Sequence, residues 1–375
     1  MKTAAPCTAV MTTDFPAATR RSDSTLQRRR AVLSRQGSRK QCMKRKSSVG
    51  KVILFVCLGI LAALLLAFIL LMYLLPVFER VDPTPVDGSS AWMSRLDDNL
   101  PLSQIVLPGT HDSASNDVQL AFFSKCQDLT IEEQLEAGYR YLDIRLELDG
   151  ETFKLMHGFT ACKTSGWPFS GTLYLDTVLE QCYQFLDGHP SECILFAVKK
   201  EHGDASVETF ETVLNDVISK NASYWLLTDQ LPTVREARGK LVLLRRYSDP
   251  ASLGEKSGIS FQWASQDNRT DTSKHIVAEQ NDAYTLWVQD RFKYDSQDKW
   301  SAFVNGLNDA LANSADVAVH FLSTNGSSSY GHPYKYATIL NEQLMTEDIA
   351  VNGWVIVDFA SSNMAYRIYS QNFRN

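Results

Sequence analysis

The chain has 375 residues, 44% of them hydrophobic and 21% charged, a length that allows one large domain or two ordinary ones. Its net charge of −6 conceals a segregation: residues 1–51 carry thirteen Lys/Arg and two acids, a net of +11, whereas residues 52–375 carry 24 Lys/Arg and 41 Asp/Glu, a net of −17. A basic tail and an acidic body are therefore separate parts of the molecule, and we expect no nucleic acid among its partners.

The first predicted segment is a disordered basic tail over residues 1–51. It is rich in Arg, Ser, Thr and Lys and has few large apolar residues, a composition that does not form a core. Two interpretations of its charge stay open. The basic run either binds anionic lipid of the cytoplasmic leaflet or serves only as a topology signal.

The second segment, residues 52–78, holds 27 consecutive positions without a charged residue. About 20 apolar residues cross a bilayer core as a helix, so this stretch is long enough to span with some tilt. A buried core helix is the weaker interpretation. A cleavable signal peptide fits poorly as well, because the basic segment before it is long and no small-residue cleavage site is clear. The pattern predicts a transmembrane signal anchor.

The charges that flank the predicted span set its orientation. Arg28-Arg29-Arg30, Arg39-Lys40 and Lys44-Arg45-Lys46 precede it, and positive residues stay on the cytoplasmic side. We therefore expect a single-pass type II membrane protein whose C-terminal body is lumenal or extracellular. Three glycosylation sequons, at Asn221, Asn268 and Asn325, fit that side and predict a glycoprotein.

The body holds four of the seven cysteines, at positions 126, 162, 182 and 193. In an oxidising compartment Cys126, Cys162, Cys182 and Cys193 would form two disulfides, with three connectivities allowed. Four free buried thiols are the alternative. No Cys-X-X-Cys or Cys/His metal spacing is present in the sequence.

Residues 79–100 are expected to be a linker, because they hold Asp82-Pro83-Thr84-Pro85 and Asp87-Gly88.

The domain of residues 101–375 then alternates strands and helices. Most strand candidates are continuous apolar runs, as in parallel strands covered by helices; they lie at 104–108, 140–146, 152–156, 193–199, 240–246, 285–289, 317–322 and 354–359. Helix candidates lie at 131–137, which opens with a capping box from Thr130 to Glu133, and at 175–186, 206–219, 297–312 and 335–350. The pattern predicts an α/β fold, a (β/α)8 TIM-type barrel, with a doubly wound open sheet as the second choice.

Polar, chemically able side chains close nearly every predicted strand. They are His111 and Asp112, Asp143 and Arg145, His157, Lys199 and Glu201, Arg246, Asp290, and Asp358. In a parallel barrel such residues meet at one face, whereas a single one would more often be a helix cap or a structural histidine. Two histidines that give and take protons around an arginine that holds negative charge are what transfer at a phosphodiester needs.

These segments resemble the X domain of phosphatidylinositol-specific phospholipase C in its single-domain, bacterial-like form. The resemblance spans nearly all of residues 101–375 in the order of the family, and nothing comparable covers residues 1–100. It is carried by 107–113 (Leu-Pro-Gly-Thr-His-Asp-Ser), 138–145, His157-Gly158, His189-Pro190-Ser191-Glu192, Lys199-Lys200-Glu201, 238–247, Val288-Gln289-Asp290 and Val357-Asp358.

The resemblance implies five catalytic residues. His111 would be the general base on the inositol 2-hydroxyl, and Asp358 would orient it. Arg145 would bind the non-bridging phosphate oxygens. His157, assisted by Asp112, would protonate the departing diacylglycerol oxygen, which leaves inositol 1,2-cyclic phosphate; water would open that ring in a second, slower step.

The resemblance also implies a set of residues that holds the inositol hydroxyls: Lys199, Glu201, Arg246, Asp290 and Phe292. Lys199 and Glu201 are two apart and so share one face of a strand. Two structural ion pairs, Lys199 with Glu201 and Arg246 with Asp290, are the alternative. Phe292 stands where the family often has Tyr, so the stacking face remains and the hydroxyl is lost.

We expect no metal and no other cofactor, because Arg145 occupies the place that a calcium ion takes in calcium-dependent relatives. The expected partner is a membrane phospholipid, either phosphatidylinositol or glycosylphosphatidylinositol, and the expected state is a monomer held by its own anchor. The loop 158–171, with Trp167-Pro168-Phe169, either dips into lipid or packs on the barrel rim.

Two other functions are weighed against this one. A different phosphodiesterase on a similar barrel, such as a glycerophosphodiesterase, would use metal-binding carboxylates, which the set of His111, His157 and Arg145 disfavours. A catalytically weak or inactive X domain that only binds headgroups or a protein partner would lack some of the expected catalytic residues, whereas this sequence has all of them.

Overall fold

The computed structural model of the chain describes residues 24–70, 80–164, 170–247, 258–268, 274–327 and 331–374. It divides into two compact units, Met1–Phe68 and Ile69–Asn375. The segment Trp167-Pro168-Phe169, for which lipid contact and packing on the barrel rim were both open, lies outside the described residues.

The first unit contains one long helix, α1 (Ser24–Ile69). Its part Ser48–Ile69 is long and apolar enough to cross a membrane, and none of its residues is buried. The predicted apolar helix over 52–78 therefore exists as far as Ile69, and residues 71–79 lie outside the described part. The expected disorder of residues 1–51 is not what the structure has from Ser24 onward. The segment is rich in Arg, Lys and Gln, which favour helix, and extending an existing helix requires no new nucleus.

The second unit contains twelve described strands. They are β1 (Leu107–Thr110), β2 (Tyr141–Asp149), β3 (Thr152–His157), β4 (Thr160–Ala161), β5 (Ile194–Lys200), β6 (Trp225–Leu226), β7 (Leu241–Arg245), β8 (Ile259–Ser260), β9 (Val277–Gln280), β10 (Thr285–Gln289), β11 (Val317–Phe321) and β12 (Trp354–Val357). Its helices are α2 (Ala121–Ser124), α3 (Ile131–Glu136), α4 (Leu175–Gly188), α5 (Val207–Ser219), α6 (Val234–Ala237), α7 (Ser296–Ala312), α8 (Pro333–Thr346) and α9 (Ser362–Tyr369), with 3-10 turns at Ser89–Arg95, Leu102–Gln104, Ala222–Tyr224 and Ser370–Phe373.

The strands β1, β2, β5, β7, β8, β10, β11 and β12 form the wall of a barrel. Parallel pairing runs from β1 through β2, β5 and β7 to β8, and from β10 through β11 to β12, which pairs back with β1. Between β8 and β10 the hydroxyl of Tyr284 donates to the carbonyl of Ser260 over 2.6 Å. The pairing of the first strand with the last confirms the (β/α)8 barrel and rules out the doubly wound open sheet.

Two strand assignments differ from the sequence prediction. The run at 152–156 becomes β3, which pairs antiparallel with β2 and lies outside the barrel wall. Its place as a wall strand is taken by β8, which has only two residues and follows β7 in parallel. A hairpin strand and a wall strand have the same apolar composition, and a two-residue strand has too few positions to show a period.

Part of the expected linker belongs to the body. Trp92 and Met93 are buried, and the Trp92 ring stacks on Tyr369 with centroids 5.0 Å apart. The indole N–H of Trp92 donates to the carbonyl of Gly138 over 2.9 Å. The body therefore begins by about Ser89 and not at residue 101, and the two large apolar residues in an otherwise polar segment were the signal for it.

The barrel wall separates two apolar cores. Along β5, Leu195 and Ala197 face the core inside the barrel, while Ile194, Phe196 and Val198 face the core beneath α4 and α5. This alternation follows from the two-residue period of a strand. The wall strand is apolar on both sides, as its sequence predicted.

Local signals in the sequence are confirmed at several helices. Thr130 and Glu133 form both hydrogen bonds of the predicted capping box at the start of α3, and Ser206 caps α5.

The cysteines do not pair: Cys126, Cys162, Cys182 and Cys193 are all buried and free. The two predicted disulfides are therefore wrong, and the alternative of four buried thiols holds.

Candidate active site

One cavity of about 280 Å³ opens where the wall strands end. Nine of the ten predicted site residues line it: His111, Arg145, His157, Asp358, Lys199, Glu201, Arg246, Asp290 and Phe292. The tenth, Asp112, is buried directly beneath the two histidines. The structure thus brings the whole predicted set to one place.

The glycine of the Leu-Pro-Gly-Thr-His segment explains how His111 reaches the cavity. A Cβ placed on Gly109 would lie 2.4 Å from Ile356 Cδ1 and 2.7 Å from Tyr141 Cβ. These side chains belong to β12 and β2, the two neighbours of β1, so any larger residue would push the wall apart. Gly109 thus allows β1 to pack closely between its neighbours. His111 follows the last residue of β1 and lies at the mouth of the barrel.

His111 is held on both ring nitrogens. Its Nδ1 lies 2.8 Å from Asp358 Oδ1, and its Nε2 lies 2.8 Å from Arg145 Nη2. A guanidinium only donates, so Nε2 accepts and Nδ1 carries the hydrogen that is donated to Asp358. Burial, and then the charge of Arg145, lowers the pKa of His111 well below its ordinary value. The ring is therefore neutral, with a lone pair on Nε2 that faces the cavity.

His157 is also fixed through its Nδ1. Its Nδ1 lies 2.6 Å from the carbonyl of Ser124, which can only accept, so Nδ1 carries a hydrogen. Its Nε2 lies 3.3 Å from Asp112 Oδ2. Burial raises the pKa of Asp112 to about 6. A hydrogen on His157 Nε2 would be shared with Asp112 Oδ2 at the cavity, which makes this pair the candidate proton donor.

The guanidinium of Arg145 lies among three carboxylates. Its Nε is 2.9 Å from Asp112, its Nη2 is 3.0 Å from Asp143, and its Nη1 is 3.3 Å from Glu201. Burial alone would raise the pKa of Glu201. The charges of Arg145 and Lys199 outweigh burial and lower this pKa to about 2. The carboxylates fix the arginine fork in one orientation, with the two histidine rings 6.2 Å apart beside it.

Asp143 is the main residue to which sequence reasoning gave no role. One oxygen accepts from Arg145, and the other accepts from Arg246 Nη1 over 2.8 Å. Burial alone would raise the pKa of Asp143, but Arg145 and Arg246 overcome it and lower the pKa. The signal was present in Asp143-Ile144-Arg145, since residues two apart on a strand share a face.

The residues predicted to hold the headgroup are in place, but one of the suggested pairs is wrong. Lys199 and Glu201 form the ion pair of the alternative interpretation, at 2.5 Å. Arg246 pairs with Asp143, not with Asp290, and its guanidinium stacks 3.8 Å over the ring of Trp263.

Asp290 contacts the N–H edge of the same indole. It accepts a hydrogen bond of 3.0 Å from Trp263 Nε1, and burial raises its pKa. Trp263 follows the two-residue strand β8, so no strand signal pointed to it. Arg246 and Asp290 therefore each contact the indole, and they do not form the ion pair that the alternative interpretation suggested.

The structure also bears on the question of a metal. Ligand atoms of His111, Cys126 and Asp358, and of Asp112, Cys126 and His157, lie within 4.8 Å of one another. The guanidinium of Arg145 contacts His111 and Asp112 and would repel a cation there. The donor set therefore fits a metal poorly, and independence from metal stays a prediction.

A (β/α)8 barrel whose mouth holds two histidines, a fixed guanidinium and buried carboxylates around one cavity has the groups that phosphoryl transfer by acid–base chemistry uses. Residues 99–247 match the family model described as "Phosphatidylinositol-specific phospholipase C, X domain". The chain belongs to this family, as the sequence predicted.

Curated relatives agree with the family match. A Staphylococcus aureus (strain Newman) 1-phosphatidylinositol phosphodiesterase is 31% identical over 294 residues, 72% of this chain and 88% of the relative. A Listeria monocytogenes protein of the same name is 26% identical and covers 82% of this chain and 96% of the relative. Human PI-PLC X domain-containing protein 2 is 31% identical over 28% of this chain and 41% of its own length.

Solved structures give the same fold. A crystal structure of the phosphatidylinositol-specific phospholipase C from S. aureus superposes with a TM-score of 0.63 at 26% identity and covers 76% of this chain and 98% of that chain. The structure of the Listeria monocytogenes enzyme matches with a TM-score of 0.57 at 24% identity, which shows the fold.

Proposed function

We propose that this chain is a phospholipase C that cleaves the phosphodiester bond of phosphatidylinositol or glycosylphosphatidylinositol and releases diacylglycerol. One observation carries the proposal. A histidine whose Nε2 accepts from Arg145 and a histidine whose Nε2 lies beside the buried Asp112 line one cavity, with their rings 6.2 Å apart. The names of the bacterial relatives supply the substrate class.

The first step is an internal transfer. His111 Nε2 takes the proton of the inositol 2-hydroxyl, and the oxygen attacks the neighbouring phosphorus. Asp358 stabilises the imidazolium that forms, since it already accepts the hydrogen on Nδ1. The shared proton of His157 and Asp112 goes to the departing diacylglycerol oxygen. Each histidine contributes about 10²–10⁴-fold.

Arg145 stabilises the charge on phosphorus. Its carboxylate partners fix the fork before substrate arrives, so little reorganisation accompanies the reaction. Binding of the phosphate displaces the 2.8 Å contact of Arg145 with His111 Nε2, which then becomes free to act as base. The products are diacylglycerol and inositol 1,2-cyclic phosphate.

The second step runs the same chemistry backwards. His157, now without its proton, takes one from water, and the oxygen of water attacks the cyclic phosphate. His111 returns its proton to the 2-oxygen of the inositol. The product is inositol 1-phosphate, and the step is slower because water is held less well than the attached hydroxyl.

Lys199, Glu201, Arg246 and Asp290 bind the ring hydroxyls, and Phe292 supplies a flat apolar face. The cavity offers both donors and acceptors, which a ring with several hydroxyl groups requires. Because Arg246 is already paired with Asp143 and stacked on Trp263, it presents a fixed donor edge to the ligand.

We further propose that α1 anchors the enzyme as a single-pass type II protein with a lumenal or extracellular body. The support is the unburied apolar span Ser48–Ile69 and the basic residues before it. The anchor supplies a high local concentration at the lipid surface, which the net charge of −17 on the body would otherwise oppose. A leaflet on that side makes glycosylphosphatidylinositol a substrate to test beside phosphatidylinositol.

The test is a product assay with the full chain in mixed detergent–lipid vesicles. We expect inositol 1,2-cyclic phosphate to appear before inositol 1-phosphate, with a rate that EDTA does not change. His111→Ala is expected to lower the rate by about 10²–10⁴-fold.

The matched control is His275→Ala. It removes an exposed histidine that is paired with Asp309 and does not line the cavity, so the rate should stay unchanged. Full activity of His111→Ala would overturn the proposed mechanism. Activity lost in EDTA and restored by calcium would overturn the prediction of metal independence.

A further inference from the structure

The proposed reaction leaves the enzyme in the wrong protonation state when the cyclic phosphate departs unhydrolysed. His111 has gained a proton from the inositol hydroxyl, and His157 has lost one to diacylglycerol. Before the next substrate can react, one proton has to leave His111 and one has to arrive at His157. A group that contacts both histidines can make that transfer.

Asp112 lies between the two working nitrogens. Its Oδ2 is 3.3 Å from His111 Nε2 and 3.3 Å from His157 Nε2. Its other oxygen, Oδ1, is held by Arg145 Nε at 2.9 Å, so the carboxylate cannot turn away. Among the described residues Oδ2 has no hydrogen-bond partner of its own, and the side chain is only 2% exposed. A buried oxygen that faces both histidines and is otherwise unpaired needs an explanation.

The surroundings of His111 favour transfer in that direction. Once Nε2 carries a proton, it can no longer accept from Arg145 Nη2, which lies 2.8 Å away and repels the new charge. Asp112 Oδ2 is an acceptor within reach. Burial raises the pKa of Asp112 to about 6, so this carboxylate takes up and releases a proton more readily near neutral pH than an exposed one.

We propose that Asp112 is a proton relay that resets the two histidines between turnovers. The proton on His111 Nε2 passes to Asp112 Oδ2, and the proton on Oδ2 passes to His157 Nε2. At the end His111 is neutral, His157 is protonated and Asp112 is again a carboxylate, so no proton is gained or lost. This inference rests on the proposed function, and it adds a transfer between turnovers to the assistance that Asp112 gives His157 within the reaction.

The test compares two rates in the full-length enzyme: the single-turnover rate of diacylglycerol release, which reports the chemistry, and the steady-state kcat, which also includes the reset. In Asp112→Asn both fall, because the assistance to His157 is lost, but kcat falls more. We expect the ratio of single-turnover rate to kcat to rise by about ten-fold or more. Imidazole should lower the ratio again, because the histidine side chains are 16% and 21% exposed in the free enzyme and a small base can reach them.

Three controls make the outcome decisive. Asp112→Glu keeps a carboxylate, so its ratio should stay near that of the wild type even if both rates fall. Asp117→Asn changes a nearby aspartate that does not line the cavity, so both rates should persist. Asp112→Asn with an unchanged ratio, or with a raised ratio that imidazole does not lower, overturns the relay. A wild-type enzyme that releases no cyclic phosphate is a separate result, which counts against the proposed function itself.

Discussion

Asp143 shows how a residue that touches no predicted substrate atom can decide the shape of the site. Each of its oxygens receives a guanidinium, Arg145 on one side and Arg246 on the other. Its backbone N–H is fixed by the hydroxyl of Ser113 at 2.8 Å. The phosphate-binding arginine and the headgroup-binding arginine are thus placed relative to each other by one buried carboxylate.

Asp358 gives the first prediction at this scale. Asp358→Asn keeps the size of the side chain but removes the negative charge that receives the hydrogen on His111 Nδ1. The imidazolium formed during the reaction is then unsupported and the wrong tautomer of His111 is favoured. We expect kcat to fall by about 10²–10⁴-fold with little change in the binding of substrate, measured by steady-state kinetics of cyclic phosphate release.

Asp309→Asn is the matched control, because Asp309 pairs with the exposed His275 at 2.9 Å away from the cavity. It should leave kcat unchanged. If Asp358→Asn retained the wild-type kcat, Asp358 would not be the residue that orients His111 as the base.

The pH dependence gives the second prediction. The base works only when it is neutral, and burial and Arg145 place the pKa of His111 well below 6.5. Activity should therefore persist as the pH falls through 6.5 and decline only at lower pH. The measurement is kcat/KM in the free enzyme across pH 4–8, which reports the free base. An acidic limb centred at or above pH 6.5 would contradict the lowered pKa.

At the scale of elements, the sequence predicted positions better than pairings. The strand that carries His157 was found at the right place because its apolar run is clear, but its antiparallel pairing with β2 is a tertiary fact. The residues that support His157 were harder to find. Ser124 lies at the end of the four-residue α2, and what it contributes is a backbone carbonyl, which any residue type has.

The link between β2 and the segment before β1 gives the third prediction. Arg140 and Glu192 are fully buried and 2.8 Å apart, and Arg140 also donates to the carbonyl of Ser90. Glu192→Ala leaves a buried guanidinium without its counter-ion, which costs about 3–5 kcal/mol of the free energy of unfolding. The measurement is denaturant unfolding of the body, followed by the fluorescence of its tryptophans.

Glu192 belongs to the His-Pro-Ser-Glu segment that supported the family resemblance, yet it lies away from the cavity lining. Ser191→Ala is the control, because it removes only the neighbouring hydroxyl that donates to Glu192. A Glu192→Ala protein as stable as this control would show that the ion pair is dispensable.

Lys299 on α7 gives the fourth prediction. It is fully buried, donates to Gln289 Oε1 over 3.0 Å and to the carbonyl of Arg291, and burial lowers its pKa from 10.5 to about 7. Between pH 7 and 10.5 the unfolded chain therefore binds more protons at this position than the native protein does. By linkage this group makes the native state more stable as the pH rises through that window, by at most about 1.4 kcal/mol per pH unit.

The check is the difference between wild type and Lys299→Met, because other groups that titrate in the same window then cancel. As the pH is raised from 7 to 10, we expect the free energy of unfolding of the wild type to increase relative to that of Lys299→Met. A difference that does not change with pH would mean that Lys299 is charged in the native protein.

For the whole molecule, the barrel was predictable because its wall strands are apolar on both sides, and the site was predictable because the polar residues follow those strands. What the sequence did not reveal depends on distant partners. Trp92 is buried by Tyr369, which is 277 positions away, and Trp263 contacts both Arg246 and Asp290. The four free cysteines belong to the same class, since pairing is a matter of distance and not of composition.

The orientation of the chain in the membrane gives the last prediction, and the three sequons do not test it equally. Asn221 and Asn268 are exposed, whereas Asn325 lines the cavity and, in the amide orientation that satisfies both its ends, donates to the carbonyl of Phe292 over 2.7 Å. A glycan at Asn325 would occupy the cavity. If the body is lumenal, endoglycosidase should therefore raise the mobility of the wild type, Asn325→Gln should behave like the wild type, and Asn221→Gln with Asn268→Gln should abolish the shift. The assay is translation into microsomes followed by protease treatment. A body that is unglycosylated and digested from the cytosolic side would contradict the proposed topology. A mobility shift that is lost with Asn325→Gln alone would contradict the placement of the Asn325 side chain.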